Sequence, residues 1–138
     1  MKQPSLQKRY EERLAKGDLR PDLAQAEAVE VLQALAAQLD GYRPQVTRGV
    51  IASFLREAPP PPKGLYLYGD VGRGKSMLMD LFFEEAKVAK KRRVHFHQFM
   101  LEVHERLHRL QTGPEQTEGV LPKLARDLAT ETWLLCFD

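Results

Sequence analysis

The octapeptide Gly69-Asp70-Val71-Gly72-Arg73-Gly74-Lys75-Ser76 restricts what this 138-residue chain can fold into more than any other stretch of it. It satisfies G-x-x-x-x-G-K-[ST], the pattern of a loop whose main-chain N–H groups cradle phosphate oxygens. Each fixed position has a chemical reason. The glycines give the backbone conformations closed to side chains, so that amides converge on an anion. A helix opening at Gly74 adds the positive end of its dipole. Lys75 places an ammonium on the β and γ phosphates, and the Ser76 hydroxyl is a hard oxygen donor for Mg²⁺. A glycine-rich turn that merely precedes a helix is the competing reading, and the flanks decide against it. Gly64 to Tyr68 is an apolar run of strand length, while Leu78, Leu81, Phe82, Ala86 and Ala89 share one face of a helix predicted from Gly74 to about Ala89.

Strand, loop and helix continue to alternate after this point, which predicts an α/β P-loop fold around a parallel sheet. Val94 to His97 reads as a short strand, and Gln98 to Leu110 as a helix with Met100, Val103, Leu107 and Leu110 on its stripe. A polar loop from Gln111 to Gly119 and a helix around Leu121 to Ala129 follow. Thr132 to Phe137 is a continuous apolar run, the signature of a strand covered on both faces. The chain before the loop is a helical preface over residues 1–58, joined by a proline-rich linker, 59–63, to a partial P-loop domain, 64–138. In the preface, Ser5 to Lys16 is a short helix stopped by Gly17. Asp22 and Gln25 form a capping pattern ahead of Leu32, Leu35, Ala36 and Leu39, and Val46 to Glu57 can form a third helix before Pro59 to Pro62 forbids one.

Composition narrows the function classes. With 21 Lys and Arg against 19 Asp and Glu, the net charge of +2 provides no strong field for nucleic acid, so none is expected as a partner. The single Cys136 lies in an apolar run and reads as a small buried hydrophobe in a reducing, cytoplasmic setting. No apolar stretch approaches the roughly 18 residues that span a bilayer, so membrane association is at most peripheral.

Asp138 supplies a second candidate for the site. It closes the run Leu134-Leu135-Cys136-Phe137, at the carboxyl edge of a buried strand where α/β sheets place ligands, and its carboxylate suits Mg²⁺. It stands about 60 residues after the phosphate loop, a spacing suited to this role. A nucleophilic water needs a general base as well, and no residue follows Asp138. The chain is therefore expected to be a fragment without sustained turnover.

Other constellations compete. His104-Glu105-Arg106-Leu107-His108 satisfies H-E-x-x-H, the zinc-peptidase helix, with Glu131 as a conceivable third ligand. The two histidines fall well off the apolar stripe, so a polar helix face with Glu105 and Arg109 paired is preferred. His95 and His97 alternate with Val94 and Phe96 and are expected on one face of the short strand, His97 nearer the nucleotide edge. Lys87, Lys90, Lys91, Arg92 and Arg93 read as a basic last helical turn complementing the dipole rather than as a nucleic-acid patch.

With these residues in view, the sequence resembles the ZapE and AFG-like ATPases, a family of AAA+ proteins. Gly64-Leu65-Tyr66-Leu67-Tyr68-Gly69 running through Val71 to Ser76, then Met79-Asp80-Leu81-Phe82, carries the resemblance. So do Lys91-Arg92-Arg93-Val94-His95-Phe96-His97, Phe99-Met100 and Val103 to His108. The resemblance implies ATP and Mg²⁺ as ligands, hydrolysis by an oligomeric full-length protein, and a Walker B role for Asp138. It implies base contact from the segment holding Pro21, Asp22 and Gln25. It also implies protein partners, the division protein FtsZ in bacteria or inner-membrane proteins in mitochondria. A helicase loader of the same superfamily and a nucleotide-binding segment without catalysis are the alternatives that remain open.

Overall fold

The computed structural model describes residues 5–44, 60–70, 72, 74–114 and 119–138. The helix expected over Val46 to Glu57, Pro59, Val71 and Arg73 lie outside the described residues. The chain forms two compact units, Met1–Val88 and Ala89–Asp138. The division falls after the helix that follows the phosphate loop.

In the first unit, α1 (Leu6–Ala15), α2 (Leu23–Gln38) and α3 (Lys75–Glu85) pack against one another. Local chemistry places the ends of α1 and α2. The Ser5 hydroxyl accepts from Lys8 N–H at the start of α1. At its end, Gly17 takes φ 78°, with Gly17 N–H donating to Leu14 and Asp18 N–H to Arg13, the paired bonds of a Schellman stop. Asp22 caps α2, its Oδ1 accepting from Ala24 N–H at 2.8 Å and Gln25 N–H at 3.4 Å. Val29, Leu32 and Ala36 recur at helical spacing and are buried, as are Leu6 and Tyr10 on α1 and Leu78, Leu81 and Phe82 on α3. α3 ends before its predicted Ala89. Ala86 is already extended, and the Lys87 carbonyl accepts from Gly41 N–H, so the backbone there is committed elsewhere.

The strand expected over Gly64 to Tyr68 is not formed, and residues 60–70 are neither helix nor strand. A strand exists by pairing, and among the described residues the sheet consists of two other strands. The stretch keeps the period of two of extended chain: Tyr66 and Tyr68 stack with ring centroids 6.2 Å apart and stay exposed.

The second unit is β1 (Lys91–Val94), α4 (Phe96–Thr112), α5 (Val120–Glu131) and β2 (Leu134–Phe137). The strands are parallel, with Lys91 opposite Leu134 and Val94 opposite Phe137. The predicted parallel α/β arrangement is thus present in a small form, two strands joined by two helices. Two expectations are corrected here. β1 starts three residues earlier than expected, so Lys91, Arg92 and Arg93 form strand instead of a helical turn. Arginine side chains snorkel past a half-buried strand to reach carboxylates, and Arg92 meets Glu102 at 2.7 Å. His95 is the N-cap of α4 and His97 lies in its first turn, so the two histidines do not share a strand face. Phe96 and Phe99 instead pack edge-on against Phe137.

Candidate functional site

The phosphate-loop sequence is built into the first unit around the start of α3. Gly72 has φ 84° and Gly74 φ 82°, a left-handed conformation that residues with a Cβ rarely adopt. Gly74 is the N-cap of α3, and its carbonyl accepts the first helical bond from Leu78 N–H at 3.0 Å. A helix start presents main-chain N–H groups and the positive end of the dipole, so this corner suits an anion. The Lys75 ammonium folds back over the loop, donating to the Gly69 carbonyl at 2.8 Å and the Asp70 carbonyl at 2.7 Å. Ser76 is exposed in the first turn of α3.

Gln25 joins this corner from α2. A Cβ placed on Gly74 would lie 2.9 Å from Gln25 Nε2 and 3.3 Å from Met77 Cε. The backbone conformation is what favours glycine at 74, since the neighbouring atoms are the ends of the flexible Gln25 and Met77 side chains. Gln25, Gly69 and Lys75 line a hollow of about 100 Å³ together with Ala24, Leu67 and Tyr68. The Gln25 amide is held from behind, its Oε1 accepting from the Tyr10 hydroxyl at 3.3 Å. Burial, with the Asp22 charge adding, pushes the Tyr10 phenol above its ordinary range, so it remains a donor at neutral pH. Tyr10 had no functional signal in the sequence. Its spacing from Leu6 marks the buried face of α1, and nothing local shows where its hydroxyl reaches.

Asp138 belongs to the second unit. Its backbone extends the ladder, donating to Val94 and accepting from Phe96 N–H. Its carboxylate accepts from Arg93 Nη2 at 2.9 Å. Arg93 belongs to the basic cluster Lys87, Lys90, Lys91, Arg92 and Arg93. Its partnership follows from the register, which sets it opposite Cys136, two residues from Asp138 and so on the same side of the sheet.

The H-E-x-x-H string lies on α4 with His104 and His108 exposed and Glu105 ion-paired to Arg109. Glu131 is taken bidentately by Arg106, at 2.8 and 2.6 Å. Among the described residues no three potential ligands gather as a metal site. Nor is any described helix long and apolar enough to cross a membrane.

The sequence profile of the AFG1-like ATPases matches residues 4–138. The chain is 38% identical to the cell division protein ZapE of Escherichia coli K12 over 138 aligned residues, covering 94% of this chain and 36% of that protein. It is 47% identical over 87 residues to lactation elevated protein 1 homolog B of Danio rerio, covering 58% of this chain and 17% of that protein. An uncharacterised protein of Schizosaccharomyces pombe is 33% identical over 157 aligned residues, with 94% and 35% covered. No solved structure matches significantly. The chain spans about a third or less of the length of these relatives. A profile match over nearly all of the sequence, with a phosphate-loop pattern at its centre, establishes the affiliation: the chain belongs to the AFG1-like ATPase family.

Proposed function

We propose that Gly69 to Ser76 bind the triphosphate of ATP and that this chain supplies the nucleotide-binding part of a Mg²⁺-dependent ATPase. The observation that carries the reading is the left-handed pair Gly72 and Gly74 at the mouth of α3, with the Lys75 ammonium lying over the same loop. In this reading Asp70, Val71 and Arg73 contribute backbone to the phosphate cradle. Lys75 exchanges the two carbonyls it now holds for phosphate oxygens, where its charge offsets that developing on the transferred group. Gln25 flanks the nucleotide from α2. Ser76 in the first unit and Asp138 in the second are each proposed as hard oxygen donors of the kind Mg²⁺ selects. Bound Mg²⁺ supplies neutralisation of phosphate charge. The relative named for cell division favours a partner in division as the setting of a full-length homo-oligomer, and the family resemblance adds a partner at the inner membrane.

A second reading is nucleotide binding without turnover. Phosphate release by the chain separates the two. The shared claim is tested by displacing a fluorescent ATP analogue with ATP, ADP and AMP. Contacts made to the β and γ phosphates by a loop and an ammonium predict AMP at least about 100-fold weaker than ATP. Equal displacement by AMP and ATP would exclude this loop as the binding element.

A further inference from the structure

We infer that Arg93 sets the metal demand of the proposed ATP site: its guanidinium is a built-in counter-ion that neutralises the Asp138 carboxylate and restrains its affinity for a divalent cation. The inference rests on the proposed role of Asp138 as a Mg²⁺ donor. An arginine keeps its charge at any pH at which the chain is folded and offers N–H donors alone, so the sign of the contact is unambiguous. Arg93 Nη2 donates to Asp138 Oδ2 at 2.9 Å. The two side chains are 26% and 27% exposed, against 69% and 64% in the Arg109 and Glu105 pair on α4. Solvent therefore screens the Arg93 charge less than that of an open surface pair.

The backbone keeps the two groups together. Arg93 stands opposite Cys136 in the parallel register, and Asp138, two residues on, shares that side of the sheet. Asp138 N–H donates to the Val94 carbonyl and its own carbonyl accepts from Phe96 N–H, so the main chain that carries the carboxylate is fixed. The Arg93 charge is felt at Cys136 as well. Burial pushes that thiol above its ordinary range, and Arg93, with Lys91, pulls against the rise. A cation at Asp138 thus meets repulsion from the guanidinium together with attraction from the carboxylate. Removing the guanidinium should tighten metal binding. A residue that only oriented the carboxylate would have the opposite effect, and one that only pinned β1 to β2 would change stability alone.

The test is titration of the chain with ATP at a series of Mg²⁺ concentrations, reading the free Mg²⁺ at which half of the magnesium-dependent gain in ATP affinity is reached. Wild type is compared with Arg93→Met, Arg93→Gln and Arg93→Lys, with the melting temperature of each recorded. Met and Gln remove the charge, Gln keeping an N–H donor, and both are expected to lower the half-point about fivefold, the scale of one like-charge contact in partly solvated surroundings. Lys keeps the charge and loses the planar fork, and its half-point is expected within about twofold of wild type. Should Arg93→Met not fold, Arg93→Gln against Arg93→Lys makes the same comparison. A raised half-point in the uncharged variants would make Arg93 a positioning residue, and an unmoved one with a lowered melting temperature would make it a strand clamp. Either result overturns the inference, as does an equal fall in Arg93→Lys. Failure of the wild type to bind ATP removes the proposed site and this inference together, whereas magnesium-dependent binding with an unmoved half-point removes the inference alone.

Discussion

Gly74 concentrates the constraints at the scale of single residues. Its φ of 82° disfavours any L side chain by roughly 1–2 kcal/mol, and a methyl there would displace the flexible end of the Gln25 side chain from the loop. Gly74→Ala is therefore expected to destabilise the first unit by about 1–2 kcal/mol and to weaken ATP binding at least tenfold, read by denaturant titration and nucleotide titration of one preparation. An unchanged Kd would show that the loop's conformation does not govern binding. The glycine and lysine spacing was legible from sequence because the eight positions are contiguous and their chemistry is local. Tyr10 and Arg93 were not legible as partners. Each acts through a contact set by packing or strand register, Tyr10 across 15 positions to Gln25 and Arg93 across 45 to Asp138.

At the scale of elements, caps were legible where strands were not. Ser5, Gly17 and Asp22 fix helix ends with bonds to residues two to four positions away, so the sequence carries the whole interaction. Gly64 to Tyr68 has strand composition, but composition does not provide a neighbour, and the segment remains unpaired. β1 differs from its sequence pattern for a related reason: apolar alternation favours Val94 through His97, while the ladder runs through Arg92 and Arg93. The junction of α4 and α5 in the second unit yields a pH prediction. The Arg106 guanidinium, bonded to both Glu131 oxygens and assisted by the charge of Arg92, holds the Glu131 carboxyl below the usual carboxylate range. A depressed folded-state pKa contributes stability present above the unfolded value of about 4.3 and lost as pH falls through the folded one. Arg106→Met should lower the melting temperature by about 2 °C at pH 7, a modest effect because the pair is partly exposed, and by nothing near pH 2. An equal loss at both pH values would mean the side chain matters for packing and not for charge.

For the molecule as a whole, the family and the phosphate loop define its chemistry more firmly than its architecture does. The first unit holds α3, the loop and Gln25, and the second holds the parallel strands and Asp138. Their α/β character was readable from the alternation of patterns, whereas the sheet is smaller than that alternation suggested because one expected strand has no described partner. The central claim, that eight residues at the start of α3 hold a triphosphate, is most directly tested by calorimetric titration of the chain with ATP, with and without Mg²⁺, in wild type and Lys75→Ala. Magnesium-dependent uptake of one ATP, weakened at least about tenfold when the ammonium is removed, is the predicted result. No uptake by the wild type, or equal affinity in the two proteins, would contradict it.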